Sequence, residues 1–110
     1  MTSAELRSPT LYLLAALGAG PLHGYALIQE VESLSGGDVR LKPGSLYGAL
    51  DRLAGEGLVR VAGEQIVDGR VRRYFELTDA GDATLADAQA RLARAVRATR
   101  RALRLRGVTA

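Results

Sequence analysis

Lys42-Pro43-Gly44-Ser45-Leu46-Tyr47-Gly48-Ala49-Leu50-Asp51-Arg52-Leu53, followed downstream by Asp68-Gly69-Arg70-Val71-Arg72-Arg73-Tyr74-Phe75-Glu76-Leu77-Thr78, decides the fold. The first stretch predicts a short helix, opened by Pro43-Gly44, running from Gly44 to Glu56 and stopped by Gly57 as its C-cap. Leu46, Leu50 and Leu53 share one face of that helix. Gly44, Ser45, Tyr47, Gly48, Asp51 and Arg52 are left on or near the other. In the second stretch Asp68-Gly69 is a two-residue hairpin turn, which pairs Val67 with Arg70, Gln65 with Arg72, Glu64 with Arg73 and Ala62 with Phe75. Arg73 then sits among apolar neighbours because Glu64 stands across from it. Arg70, Arg72 and Tyr74 share the opposite face. A helix with a small, polar outer face followed by an arginine-loaded hairpin is a combination suited to gripping duplex DNA.

The flanking sequence completes three helices, two strands and a helix. Ser8-Pro9 reads as a helix start, with Ser8 as N-cap and Pro9 at the first helical position. Thr10 to Leu17 is apolar nearly all round, so that helix needs cover on two sides, and a second subunit is the simplest second cover. Gly18-Ala19-Gly20-Pro21 ends it, and a second helix is expected from Leu22 to about Leu34. Ser35-Gly36-Gly37-Asp38 breaks the chain, with room for a brief extended segment at Val39-Arg40-Leu41. Thr78 caps a last helix whose first turn carries Asp79 and Asp82, favourable at the positive end of its dipole. Leu85, Ala88, Leu92, Val96, Thr99 and Leu103 recur along one face of it, with most arginines opposite. Leu13 and Leu17 on the first helix, with Leu85, Leu92, Val96 and Leu103 on the last, are therefore expected at a dimer seam. The fold class is mainly α with a small β-hairpin: a winged helix-turn-helix over 1–77 and a C-terminal dimerisation helix over 78–110.

Composition narrows the function. The 110 residues bound the chain to one domain plus an appended element, and the net charge of +3 hides an asymmetry. Residues 88–110 hold seven arginines and no acid, whereas 1–87 hold eight basic residues against twelve acidic. What counts is that Arg40, Lys42, Arg52, Arg70, Arg72 and Arg73 cluster in or beside the helix and hairpin. With no cysteine there is neither a disulfide framework nor thiolate chemistry. The longest apolar run, Leu11 to Leu17, is far below a membrane span, so a cytoplasmic protein, at the nucleoid when bound to DNA, is expected. His23 is the only histidine, which disfavours a zinc or copper site; it reads as a local packing or capping residue at a helix start. No serine among Ser3, Ser8, Ser33, Ser35 and Ser45 has a recognisable His-acid pair, so no catalytic residue, metal or cofactor is expected.

At Leu22-His23-Gly24-Tyr25, Pro43-Gly44-Ser45-Leu46-Tyr47, Leu50-Asp51-Arg52-Leu53, Glu56-Gly57-Leu58-Val59 and Gly69 to Thr78, the chain resembles the PadR family of bacterial transcriptional regulators. The resemblance covers roughly Pro9 to Leu85 and is closest to the compact subgroup with a single C-terminal helix. It implies a homodimeric repressor whose third helix enters the major groove, whose wing touches the flanking backbone or minor groove and whose last helix dimerises. Arg40, Lys42, Gly44, Ser45, Tyr47, Gly48, Arg52, Arg70 and Arg72 are the expected DNA contacts. Two places depart from the family pattern: Gly48 stands where proline is usual after the Leu-Tyr pair, and Arg70-Val71-Arg72 replaces a frequent Arg-Pro-Arg. Some members bind planar aromatic effectors through a tryptophan of the last helix, and this chain has none. An effector pocket is instead expected between Tyr12 and Ala16 on the first helix and Gln89, Leu92 and Val96 on the last. The alternative reading is a protein-interaction module on the same fold, binding an acidic partner in place of DNA.

Overall fold

The computed structural model describes residues 7–108; Ser3, considered above as a nucleophile, lies outside them. The elements run α1 (Ser8–Ala16), a 3-10 turn (Leu17–Ala19), β1 (Leu22–His23), α2 (Gly24–Leu34), α3 (Pro43–Gly55), β2 (Val59–Val67), β3 (Arg70–Leu77) and α4 (Asp79–Leu105). The sheet is antiparallel, in the order β1-β3-β2. This is a winged helix with one long C-terminal helix.

Local sequence accounts for most boundaries. Asp68 (φ 53°) and Gly69 (φ 75°) both take left-handed backbone, the type I′ geometry whose twist matches the flanking strands. Thr78 Oγ1 accepts the Gly81 N–H at 3.1 Å and caps α4. Gly57, at φ 77°, ends α3 after Glu56.

Four expectations need correction. The N-cap of α1 is Arg7, which puts Ser8 inside the helix, Pro9 being tolerated anywhere in the first turn. The second helix starts at Gly24, two residues late, because Leu22 and His23 pair with Phe75 and Tyr74 as a third strand. Val39-Arg40-Leu41 forms no strand: the Val39 N–H goes to the buried Ser35 Oγ at 2.9 Å, and that hydroxyl also donates to the Glu32 carbonyl, closing the turn between α2 and α3. Finally, a bulge at Ala62 makes Val61, not Ala62, the partner of Phe75, while Val67, Gln65 and Glu64 pair as expected.

The core joins Leu13, Leu14 and Leu17 to Leu27, Val31, Leu46, Leu50, Leu53, Val59 and Phe75. Burying each large aliphatic side chain contributes about 1.5 to 3 kcal/mol. Leu13 and Leu17 are only 1% and 2% exposed, so their own chain already covers them and they are core residues rather than part of a seam. The uniformly apolar α1 is wrapped chiefly by α2 and α4 of the same subunit.

α4 is seated by contact with the loop before β2. A Cβ on Gly81 would overlap the Leu58 carbonyl oxygen, a backbone atom that accepts the Thr78 N–H at 3.1 Å. Overpacking against such an atom costs about 1–3 kcal/mol, more than the roughly 1 kcal/mol that alanine gains over glycine in a helix. Gly81→Ala should therefore lower the midpoint of urea unfolding, and an unchanged or raised midpoint would mean that α4 does not rest on Leu58. Beyond Ala88, the last buried residue of the helix, α4 projects. The radius of gyration is 16.3 Å with a longest extent of 60 Å, against about 13 Å for a compact chain of this length.

Candidate nucleic-acid interface

α3 presents a ridge almost without side chains. At 100° per residue Leu46, Leu50 and Leu53 point inward, and Gly44, Gly48, Asp51 and Gly55 point out. A Cβ added at any of the three glycines would meet nothing within 4 Å, so the backbone is approachable there.

On one shoulder of the ridge Tyr47 turns towards the start of α2 and the wing. Its ring lies over Gly24, where a Cβ would overlap the phenol oxygen, while the residue remains 48% exposed. The tyrosine therefore lays its phenol end against Gly24 and leaves about half of the residue open to solvent. Here lies a cleft of about 550 Å³ between α2, α3 and the hairpin, lined by His23, Gly24, Tyr25, Tyr47, Val67, Asp68, Arg70, Val71, Arg72 and Arg73. Arg70 and Arg72 outweigh Asp68, while Arg73 is paired with Glu64, so the cleft is a cationic slot, the chemistry that takes a phosphodiester.

The hairpin orders those guanidiniums. Arg73 is held by Glu64 at 3.6 Å, as the cross-strand register predicts. Tyr74, on the other face, donates to Gln65 at 3.1 Å and meets the His23 ring edge-on, with centroids 5.5 Å apart. His23 accepts the Ala26 N–H through Nδ1 at 3.4 Å, the local capping role expected of it. Burial, and secondarily the positive charge of Arg72, hold its pKa below the usual histidine value, which keeps that nitrogen able to accept.

The remaining expected contacts spread more widely. Arg40 is paired with Glu32 at 2.9 Å, outside the cleft. Lys42 is exposed as the N-cap residue of α3. Ser45 and Arg52 stand on the opposite shoulder, where Arg52 donates to Thr10 Oγ1 at 3.1 Å, so its guanidinium is turned to α1 rather than along its own helix to Asp51. Tyr25, 68% exposed in the first turn of α2, lines the cleft although the sequence assigns it no role; an aromatic that falls off the apolar face of its helix is the available signal.

Of the expected seam and effector residues, Ala16 is buried in the core and Tyr12 packs against it. On α4, Ala88 is buried and Leu85 and Leu103 are half-buried, while Leu92 and Val96 stay 49% and 46% exposed and Gln89 is exposed. The outer stripe of α4 is thus only partly covered within one subunit.

Residues 13–87 match the family described as transcriptional regulator PadR-like. The chain belongs to that family. Over 77 residues it is 40% identical to a transcriptional regulator of Mycobacterium tuberculosis, a match covering 70% of this chain and 68% of that protein. Over 71 residues it is 52% identical to an uncharacterized 37.1 kDa protein of a Streptomyces fradiae transposon, covering 64% of this chain but only 19% of that protein. PadR of Bacillus subtilis, solved in complex with operator DNA, superposes with a TM-score of 0.65 at 26% identity, over 74% of this chain and 47% of that one. The PadR-like family is one of transcriptional regulators rather than enzymes. Among the described residues of this PadR-like chain, no helix is long and apolar enough to cross a membrane.

Proposed function

We propose that the protein binds duplex DNA as a two-fold homodimer and represses transcription until a small molecule or other signal releases it. The observation that carries this reading is the bare ridge of α3 beside a cleft with three arginines: a helix about 10–12 Å across matches a major groove about 12 Å wide, and the wing then lies over the neighbouring backbone. The Bacillus subtilis relative, solved in complex with operator DNA, supports DNA as the partner. In this division of labour residues 1–77 read DNA and 78–110 pair the subunits, with the half-covered face of α4 as the seam. An effector seated between α1 and the α4 stripe would act on the spacing of the two recognition helices. The site of action is the cytoplasm, at the nucleoid.

The test is salt dependence. Each basic contact to phosphate contributes about 0.9 to the slope of log K against log salt. Arg70→Ala with Arg72→Ala should flatten that slope and weaken specific and random duplexes alike. An unaltered slope would take the wing out of the interface, and a parent protein that ignores duplex DNA but captures acidic protein surfaces would favour an interaction module instead.

A further inference from the structure

The shoulder of α3 facing away from the wing carries a second cleft, also of about 550 Å³, between α3 and the first turn of α1. Arg7 and Arg52 line it, with the hydroxyls of Thr10 and Ser45 and an apolar floor that includes Leu13 and Leu41. Among the described residues, no carboxylate lines it. Around the α3 axis Ser45 and Arg52 fall on one side of the glycine ridge and Tyr47 on the other, so the two clefts flank the ridge.

We propose that this second cleft is a phosphate site for the DNA strand opposite the one held by the wing, with Arg7 and Arg52 as its cations, Ser45 as its hydroxyl donor and the buried Thr10 holding Arg52 in place. The proposal rests on the DNA-binding reading above. A helix lying in a major groove has a sugar-phosphate backbone along each flank, and only one flank is served by the wing. Four features favour phosphodiester as the occupant. Two guanidiniums meet no neutralising acid among the residues lining the cleft. Arg52 uses one N–H on Thr10, which fixes the guanidinium plane and leaves other donors of its fork to point outward. Arg7 and Ser45 are both exposed at the rim. The absence of side chains at Gly44, Gly48 and Gly55 lets the helix sink until both shoulders reach the backbones. Arg7 and Thr10 are outside the set of DNA contacts read from the sequence, because they belong to α1 and its N-cap and reach α3 only in the folded chain.

The experiment measures binding of random-sequence duplex across a salt series for the parent, for Arg70→Ala with Arg72→Ala, for Arg7→Gln with Arg52→Gln, and for Arg52→Lys, each checked for folding by circular dichroism and thermal melting. The glutamine pair should flatten the slope by about 0.9 for each phosphate no longer neutralised, in addition to the flattening caused by the wing pair, while Arg52→Lys keeps the parent slope. On a duplex selected by the protein from a random pool, single neutral methylphosphonates should weaken the parent on both strands. The folded glutamine pair should become insensitive on the strand away from the wing. If its slope and its methylphosphonate pattern match the parent while the wing pair flattens normally, the second cleft is not a phosphate site although the DNA-binding reading stands. If the parent itself shows no salt-dependent duplex binding, both fall.

Discussion

A Leu92→Glu, Val96→Glu variant should sediment as a monomer and lose operator binding at concentrations where the parent saturates. These side chains are 49% and 46% exposed on a helix that projects from the body, so the single subunit does not bury them. Full burial contributes about 1.5 to 3 kcal/mol for each large aliphatic side chain, and a two-fold seam realises that gain twice over. Glutamates at both positions would place four carboxylates in one apolar seam, a desolvation cost that pairing cannot offset. In the proposed dimer two recognition helices would lie about one DNA turn apart, so a monomer would keep a single half-site and forfeit the gain of binding two at once. Leu13 and Leu17 carry no part of this expectation, being closed in by their own chain. If the double variant stays dimeric, the seam lies elsewhere and the arginines of α4 become the surface to examine.

The second large effect is expected at the ridge. Gly48→Glu should weaken DNA binding by at least about tenfold while leaving the protein folded and, if anything, more stable. Nothing lies within 4 Å of a Cβ at this position, and replacing an exposed helical glycine recovers up to about 1 kcal/mol of helix propensity. On DNA the new carboxylate faces a polyanion: two like charges about 4 Å apart cost roughly 1 kcal/mol in water and about 4 kcal/mol at an effective dielectric of 20. Together with its bulk in a groove that the bare backbone would otherwise approach closely, this should weaken binding by at least about tenfold, a loss of about 1.4 kcal/mol. Fluorescence anisotropy on operator and random duplexes, beside a thermal melt, checks both halves. Normal operator binding by the folded variant would mean that α3 does not enter the groove.

The hairpin shows how much of this protein is local. Asp68-Gly69 specifies a turn by its backbone preferences, the turn specifies register, and register places Glu64 against Arg73 and gathers Arg70 and Arg72 on one face; each step needs only near neighbours. The leucine stripe of α3 and the Thr78 cap of α4 are equally local, since periodicity and capping act within one or two turns. Local spacing fails where the partner is distant in the chain. The strand at Leu22–His23 is two residues long, too short for any alternation to register, and exists only because β3 offers it an edge. The bulge at Ala62 shifts one pair beside Gly63, a glycine within the strand whose sign the turn-centred register does not use. α1 is apolar all round, which signals cover on two sides without saying whose. The fold supplies that cover from its own α2 and α4, and the expectation that a second subunit must bury Leu13 and Leu17 fails for that reason.

The site divides along the same line. Residue types on the exposed face of α3 and in the wing follow from helix and strand periods, so Gly44, Tyr47, Gly48, Arg70 and Arg72 are legible as a group. Which cations stand together is not. Arg40 turns to Glu32 and Arg52 crosses to Thr10, 42 residues away in sequence, and both choices depend on how α1, α2 and α3 pack around one leucine core. Sequence alone determined the four helices, the hairpin, their apolar faces and the charge carried by the wing, because those depend on backbone preference and on neighbours within a turn. Tertiary structure decided which arginines share a cleft and which apolar residues remain uncovered, because a side chain's partner across the molecule is set by the packing of whole helices and leaves no trace in local spacing.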